Sequence, residues 1–220
     1  MKRRFPFTTL YLLLLAAVVI ASWLVGLYGV ESGGNLLSDE GGRWWMRSVL
    51  PSFAASPVGE ILVVLFTLGI VKSVWLESPR VKSKKATAVA LMVFVALMGL
   101  LLWGVFSGAL MSVTGHWANS PLQRGWLVVL ALLIGIPSLC YGLTNGTFTN
   151  REQVLGALCS EVVRCAPSFV TLFIASQLVA VLAYSGLPAV CGIGAAAFHG
   201  IAAVIYWLPF VFEYFYKNRI

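Results

Sequence analysis

Charged residues are scarce in this 220-residue chain: Asp, Glu, Lys and Arg make up 10%, against about 25% in an ordinary soluble domain. That shortage excludes a solvated globular surface. Hydrophobic residues reach 60% and mean hydropathy is +0.91, so the chain reads as an integral membrane protein. Cysteine is sparse as well. Cys140, Cys159, Cys165 and Cys191 lie in or beside hydrophobic runs without paired spacing. This argues against a disulfide framework or metal site and for small apolar packing groups. No His, Asp and Glu cluster shares an aqueous face, and no phosphate-binding glycine loop or metal-ligand spacing occurs. No catalytic residue, metal or cofactor is therefore expected, and the chain does not read as an enzyme. Low-complexity segments and visible internal repeats are also missing.

What is present is a series of long apolar runs. A span needs about 20 apolar residues, and six runs meet that length: 7–28, 57–76, 86–113, 125–143, 167–184 and 187–212. The pattern predicts an all-α integral membrane protein forming a single membrane domain over 1–220. The first run follows Lys2-Arg3-Arg4 but exceeds a signal-peptide core and lacks a small-residue cleavage site, so it reads as an uncleaved helix. Ser56 and Pro57 read as the N-cap and first position of the second span.

Two further helices are expected. Between the first two spans, Ser38 or Asp39 can cap an amphipathic helix carrying Trp44 and Trp45, suited to the outer headgroup level. After the fourth span, Thr149 and Glu152 match a capping box opening a cytoplasmic helix with Val154, Leu155, Leu158 and Val162 on one face.

Basic residues set the orientation. With the N-terminus inside, Lys2, Arg3, Arg4, Lys72, Arg80, Lys82, Lys84, Lys85, Arg151, Arg164, Lys217 and Arg219 fall on the inner side, and only Arg43, Arg47 and Arg124 fall outside. The positive-inside bias puts both termini in the cytoplasm of a bacterial-type inner membrane. The net charge of +7 is thus topology and contact with the lipid bilayer, not a nucleic-acid site.

Polar residues inside spans are costly and often functional. The most informative stretch is 136–147, where an uncharged span gives way to Pro137, Tyr141, Gly142, Asn145, Gly146 and Thr147. Irregular backbone at membrane depth survives only when covered by protein or lining a cavity. Tyr141, Asn145 and Thr147 therefore read either as a polar vestibule or as a plain helix end, with Gly146 as terminator. Gln177, mid-span beside Ser176, reads as a ligand contact or an interhelical hydrogen bond. His199, among Ala195, Ala196, Ala197 and Gly200, reads as a proton-coupling group or a satisfied buried histidine that could face Gln177. Glu60, one turn into its span, reads as a coupling carboxylate or one favoured by the helix dipole. Glu161 and Arg164 read as a surface pair, and Lys72 as a snorkelling lysine.

Several blocks, in order, resemble the AbgT family of p-aminobenzoyl-glutamate transporters. They are Phe5-Pro6-Phe7-Thr8; Asn35 to Gly41 with Arg43-Trp44, Pro57-Val58-Gly59 and Gly69; Ile136-Pro137, Tyr141-Gly142 and Gly146-Thr147; and Ala166-Pro167, Ser176-Gln177 and Ser185. The resemblance implies transport of p-aminobenzoyl-glutamate or a similar amphipathic anion, with substrate near 136–147 and along Gln177 to Ser185. It also implies a homodimer. Departures accompany it. Family members are roughly twice as long, with two re-entrant hairpins that build the site. Here 76–85 is a short link where the first hairpin is expected, and a single span follows Ser185 in place of the second. Lys72 stands where the family carries an acid, and Ala183-Tyr184-Ser185-Gly186 stands where Asn-Trp-Ser-Asn is expected. The alternative expectation is a reduced homologue that does not transport alone: an interaction or regulatory subunit, or half of a split transporter with a companion membrane chain. The charged C-terminal end reads as a natural stop.

Overall fold

The computed structural model describes residues 7–28, 33–76, 83–111 and 120–218. The expectations resting on Lys2 to Pro6, Arg80, Lys82 and Arg219 and on the 77–82 link lie outside them, as do those on the side chains of Arg124 and Lys217. The third span, expected over 86–113, ends as a helix at Phe106, where Ser107 caps it and Gly108 turns left-handed.

Every regular element among the described residues is helical: α1 Phe7–Leu27, α2 Asp39–Ala54, α3 Val58–Val71 running into a π-helical turn at Lys72–Leu76, α4 Lys84–Phe106, α5 Pro121–Arg124, α6 Trp126–Thr144, α7 Arg151–Arg164, α8 Ala166–Ser185, α9 Leu187–Val190 and α10 Ala195–Asn218. Six stretches among the described residues are long and apolar enough to cross a membrane: Phe7–Leu27, Asp39–Leu76, Lys84–Phe106, Trp126–Thr144, Ala166–Ser185 and Ala195–Phe215. The protein is an all-α, multi-pass membrane protein.

Several local expectations change. Pro137 does not break its span; α6 runs through it to Thr144, and irregular backbone starts only at Asn145. The last span does not begin at Leu187. A single turn, α9, ends at Cys191 and Gly192 (φ 74°) before α10 starts at Ala195. Ser56 does not cap α3; its hydroxyl donates backwards to the Phe53 carbonyl at 2.6 Å. Gln153 rather than Glu152 closes the α7 start, its Oε1 accepting from the Thr149 N–H and hydroxyl at 2.8 and 3.1 Å. Ser38 caps α2 as its sequence predicts, accepting from Gly41 N at 3.1 Å.

The chain folds as two compact units, Met1–Val58 with Cys165–Ile220, and Gly59–Arg164. In the first, α8 is the hub. It is the most buried of the candidate spans among the described residues, as a helix flanked by others is. Tyr11 of α1 packs with Ala175 and Leu178 of α8, and its hydroxyl donates to the Ile205 carbonyl of α10 at 3.0 Å. Phe169 meets Phe210 of α10 edge-on at 5.1 Å.

In the second unit, α4 packs along α6. Ile70, Val74, Ala86, Tyr141, Phe148 and Ala157 form one buried cluster, joining α3, α4, α6 and α7. Gly69 makes the α3–α7 crossing close: a Cβ there would collide with the Ala157 carbonyl oxygen. Small residues are the usual route to such approach in membranes. Thr67 ties α3 to α6, donating to both Val63 O (3.0 Å) and Ala131 O (3.1 Å).

Candidate functional site

The polar content of α8 is unusual for a span. Ser168, Thr171, Ser176, Gln177 and Ser185 are all buried. Most have their hydrogen bonds accounted for, as buried polar groups require. Ser168 donates to Glu213 of α10. Thr171 and Thr8 of α1 share a hydroxyl contact at 2.8 Å. Ser176 and Ser185 donate to the carbonyls three residues back, Phe173 and Leu182, at 2.7 and 3.1 Å.

Gln177 is the exception. Its Nε2 donates to the Val49 carbonyl of α2 at 3.0 Å and to Ser176 Oγ at 3.3 Å. Its Oε1 is buried with no hydrogen-bond partner among the described residues. An unmatched buried acceptor costs roughly 1–3 kcal/mol, so this oxygen marks a place where a donor is wanted.

The face of α8 that carries Gln177 is aromatic on either side. Phe173, one turn earlier, meets Phe53 of α2 edge-on at 5.5 Å. Tyr184, two turns later, stacks on Trp44 of α2 with centroids 3.9 Å apart. The chain before α2 wraps Tyr184 closely. Gly34 N donates to the Tyr184 carbonyl at 2.8 Å, and a Cβ on Gly34 would collide with the Tyr184 ring. The amphipathic helix α2 is thus docked on α8 by two aromatic contacts with a glutamine amide between them. Sequence reasoning singled out Gln177 and missed the docking. The available signal was the stretch from Gly33-Gly34 to Trp44-Trp45, with glycines where a ring must be admitted.

The other anticipated residues divide between the units. Ser185 closes α8, with Gly186 left-handed behind it (φ 65°). His199 is exposed on α10 and does not face Gln177, which is buried against α2; its ring neighbour is Phe198 at 6.3 Å. In the second unit, Tyr141 is buried and stacks on Trp75 of the π turn at 4.8 Å. Asn145 ends α6 in a right-handed conformation, and its Oδ1 accepts from Ser83 N at 3.2 Å, capping the start of α4. Thr147 is half-buried in the following turn. Glu60 is half-buried in the first turn of α3, with no hydrogen bond or ion pair among the described residues.

The pairing expected at the surface is buried. Glu161 is 1% exposed and takes Lys72 Nζ on Oε1 at 2.9 Å and Arg164 on Oε2 at 3.4 Å. Lys72 therefore does more than snorkel; it holds a buried carboxylate at the π turn. No three His, Cys, Asp or Glu side chains gather as a metal site among the described residues.

Six long apolar helices among the described residues make this a multi-pass membrane protein. A family-wide sequence profile, that of the AbgT putative transporter family, matches residues 74–206, more than half the chain. The chain belongs to the AbgT family. No curated protein and no solved structure matches it significantly.

Proposed function

We propose that this chain moves p-aminobenzoyl-glutamate or a similar amphipathic anion across a bacterial-type inner membrane, with both termini in the cytoplasm. The observation that carries the reading is the unmatched Gln177 Oε1 on a face flanked by Phe173 and Tyr184. A substrate amide or aniline N–H supplies the donor this oxygen lacks. An aminobenzoyl ring matches the aromatic flanks, which favour offset or edge-on partners. Ser185 completes the substrate-facing stretch of α8. Glu60 and His199 are the two protonatable candidates for coupling, neither being in an ion pair among the described residues, and the half-buried Glu60 is the favoured one.

The test is uptake of labelled p-aminobenzoyl-glutamate into vesicles holding the purified chain. Gln177→Ala is expected to cut uptake about 3- to 10-fold, the worth of one hydrogen bond, while folding is retained.

A second reading is favoured by the positions of Tyr141 and Asn145. The first is stacked in a core and the second caps α4, so neither is free for substrate. In this reading the chain is a membrane interaction or regulatory subunit, or half of a split transporter, working with a companion chain or a second copy. Absence of flux from pure, folded protein, restored by a co-purifying membrane partner, selects this reading.

A further inference from the structure

Gln177 Oε1 is sealed in this structure, so a ligand reaches it only if a neighbour moves. Phe173, Gln177 and Tyr184 are spaced four and seven residues apart, which puts them on one face of α8. Ala175 and Leu178, which pack with Tyr11 of α1, lie on another. The face over the amide is the α2 face, with α2 contacts before, at and after Gln177. All three helices belong to one compact unit. Little holds α2 in place. Gly41 is its one buried residue, whereas nine residues of α8 are buried, and thinly buried elements open most readily.

The two ends of the dock differ. At Tyr184 the ring stacks on Trp44, Gly34 N donates to the Tyr184 carbonyl, and Gly33 passes so close that a Cβ would collide with that carbonyl. At the other end the Val49 carbonyl holds one amide hydrogen of Gln177, and Phe53 makes one edge contact. Pro51 lies between Val49 and Phe53 and has no N–H to give the helix. The docked state also carries the unmatched oxygen, a cost that ends when α2 lifts and a donor arrives. We propose that α2 is the gate of this site. Its Val49–Phe53 end swings off α8 about the anchored Tyr184 end, and the opening admits a ligand N–H to Gln177 Oε1. The inference rests on the transport reading of the Gln177 face. An amphipathic helix has a second resting place on the membrane surface, so the swing leaves no apolar face in water.

The experiment measures spin-label distances by double electron–electron resonance on the full chain in bilayer discs. Cys140, Cys159 and Cys191 are replaced by Ser, and the buried Cys165 is kept. Leu50→Cys with Val170→Cys reports the swinging end, and Leu37→Cys with Val170→Cys the anchored end; all three positions are exposed. Phe53→Ala is expected to raise the population of a longer Leu50 distance by roughly 2- to 10-fold, the worth of one aromatic contact, while the Leu37 pair keeps a single distance. Gln177→Met in that background removes the unmatched oxygen and is expected to shrink the longer population. One unchanged Leu50 distance in Phe53→Ala overturns the gate, whatever the uptake. Equal spreading of the Leu37 pair also overturns it, because the unit has then loosened as a whole. So does a longer population indifferent to Gln177→Met. A swinging α2 without uptake of p-aminobenzoyl-glutamate supports the movement and ends the transport reading.

Discussion

Glu161 of α7 holds Lys72 of the α3 π turn through a 2.9 Å ion pair, with the carboxylate 1% exposed and the lysine 29%. Removing the lysine leaves a buried carboxylate with Arg164 as its remaining ion-pair partner among the described residues. Breaking a fully buried pair costs about 3–5 kcal/mol. The partial exposure of Lys72 brings the expected cost of Lys72→Met to about 2 kcal/mol. Thermal unfolding in detergent measures it. The exchange Lys72→Glu with Glu161→Lys should recover part of the loss, because the pair is re-formed with its sense reversed.

Gly69 and Gly99 make a matched pair for testing the α3–α7 crossing. A Cβ at Gly69 collides with the Ala157 carbonyl, whereas one at Gly99 in α4 meets nothing within 4 Å. Gly69→Ala should destabilise by about 1–3 kcal/mol, the usual cost of overpacking. Gly99→Ala should be neutral or stabilise by up to about 1 kcal/mol through helix propensity. Equal behaviour of the two variants in thermal unfolding would contradict the close crossing.

Tyr141 separates architecture from substrate contact. Tyr141→Ala removes a buried ring stacked on Trp75 and should cost about 3–5 kcal/mol. Yield and unfolding temperature should fall together with any activity. Tyr141→Phe keeps the ring and should leave both stability and uptake close to the parent protein. A Tyr141→Phe variant that folds normally but loses uptake would move the residue into the substrate site.

Protonatable groups are tested by the pH dependence of uptake. Glu60 is half-buried and unpaired among the described residues, while His199 is exposed on α10. The more enclosed group is the better placed to couple a proton to the protein's conformation. Glu60→Gln is therefore expected to flatten the pH profile of uptake, and His199→Gln to leave it in place. The reverse outcome would assign coupling to His199.

Much of the architecture was legible because membrane spans announce themselves by length. The first, fourth and fifth runs meet α1, α6 and α8 within a residue or two, since apolar runs of this size have no other stable form in lipid. What failed was local. Pro137 looked like a break, but a span tolerates proline when neighbours re-satisfy the freed carbonyl. The last span was placed too early because Leu187 to Val190 are as apolar as a span, while the turn through Gly192 depends on backbone conformation. Glu161 looked like a surface partner of Arg164 because that contact is three residues away in sequence. Its burial depends on Lys72, 89 residues away, and no local pattern carries that. The same holds for Gln177. Its polarity was visible, but the unmatched oxygen follows from the docking of α2.

The most direct test of the account is vesicle uptake of labelled p-aminobenzoyl-glutamate by pure chain, comparing the parent protein with Gln177→Ala and Gln177→Glu. The account predicts flux in the parent and a loss of about 3- to 10-fold in Gln177→Ala, measured on protein that stays folded although losing the bond to Val49 lowers its unfolding temperature. It predicts partial retention in Gln177→Glu, whose oxygens still accept a donor. Undiminished uptake by Gln177→Ala, or none by the folded parent, would contradict it.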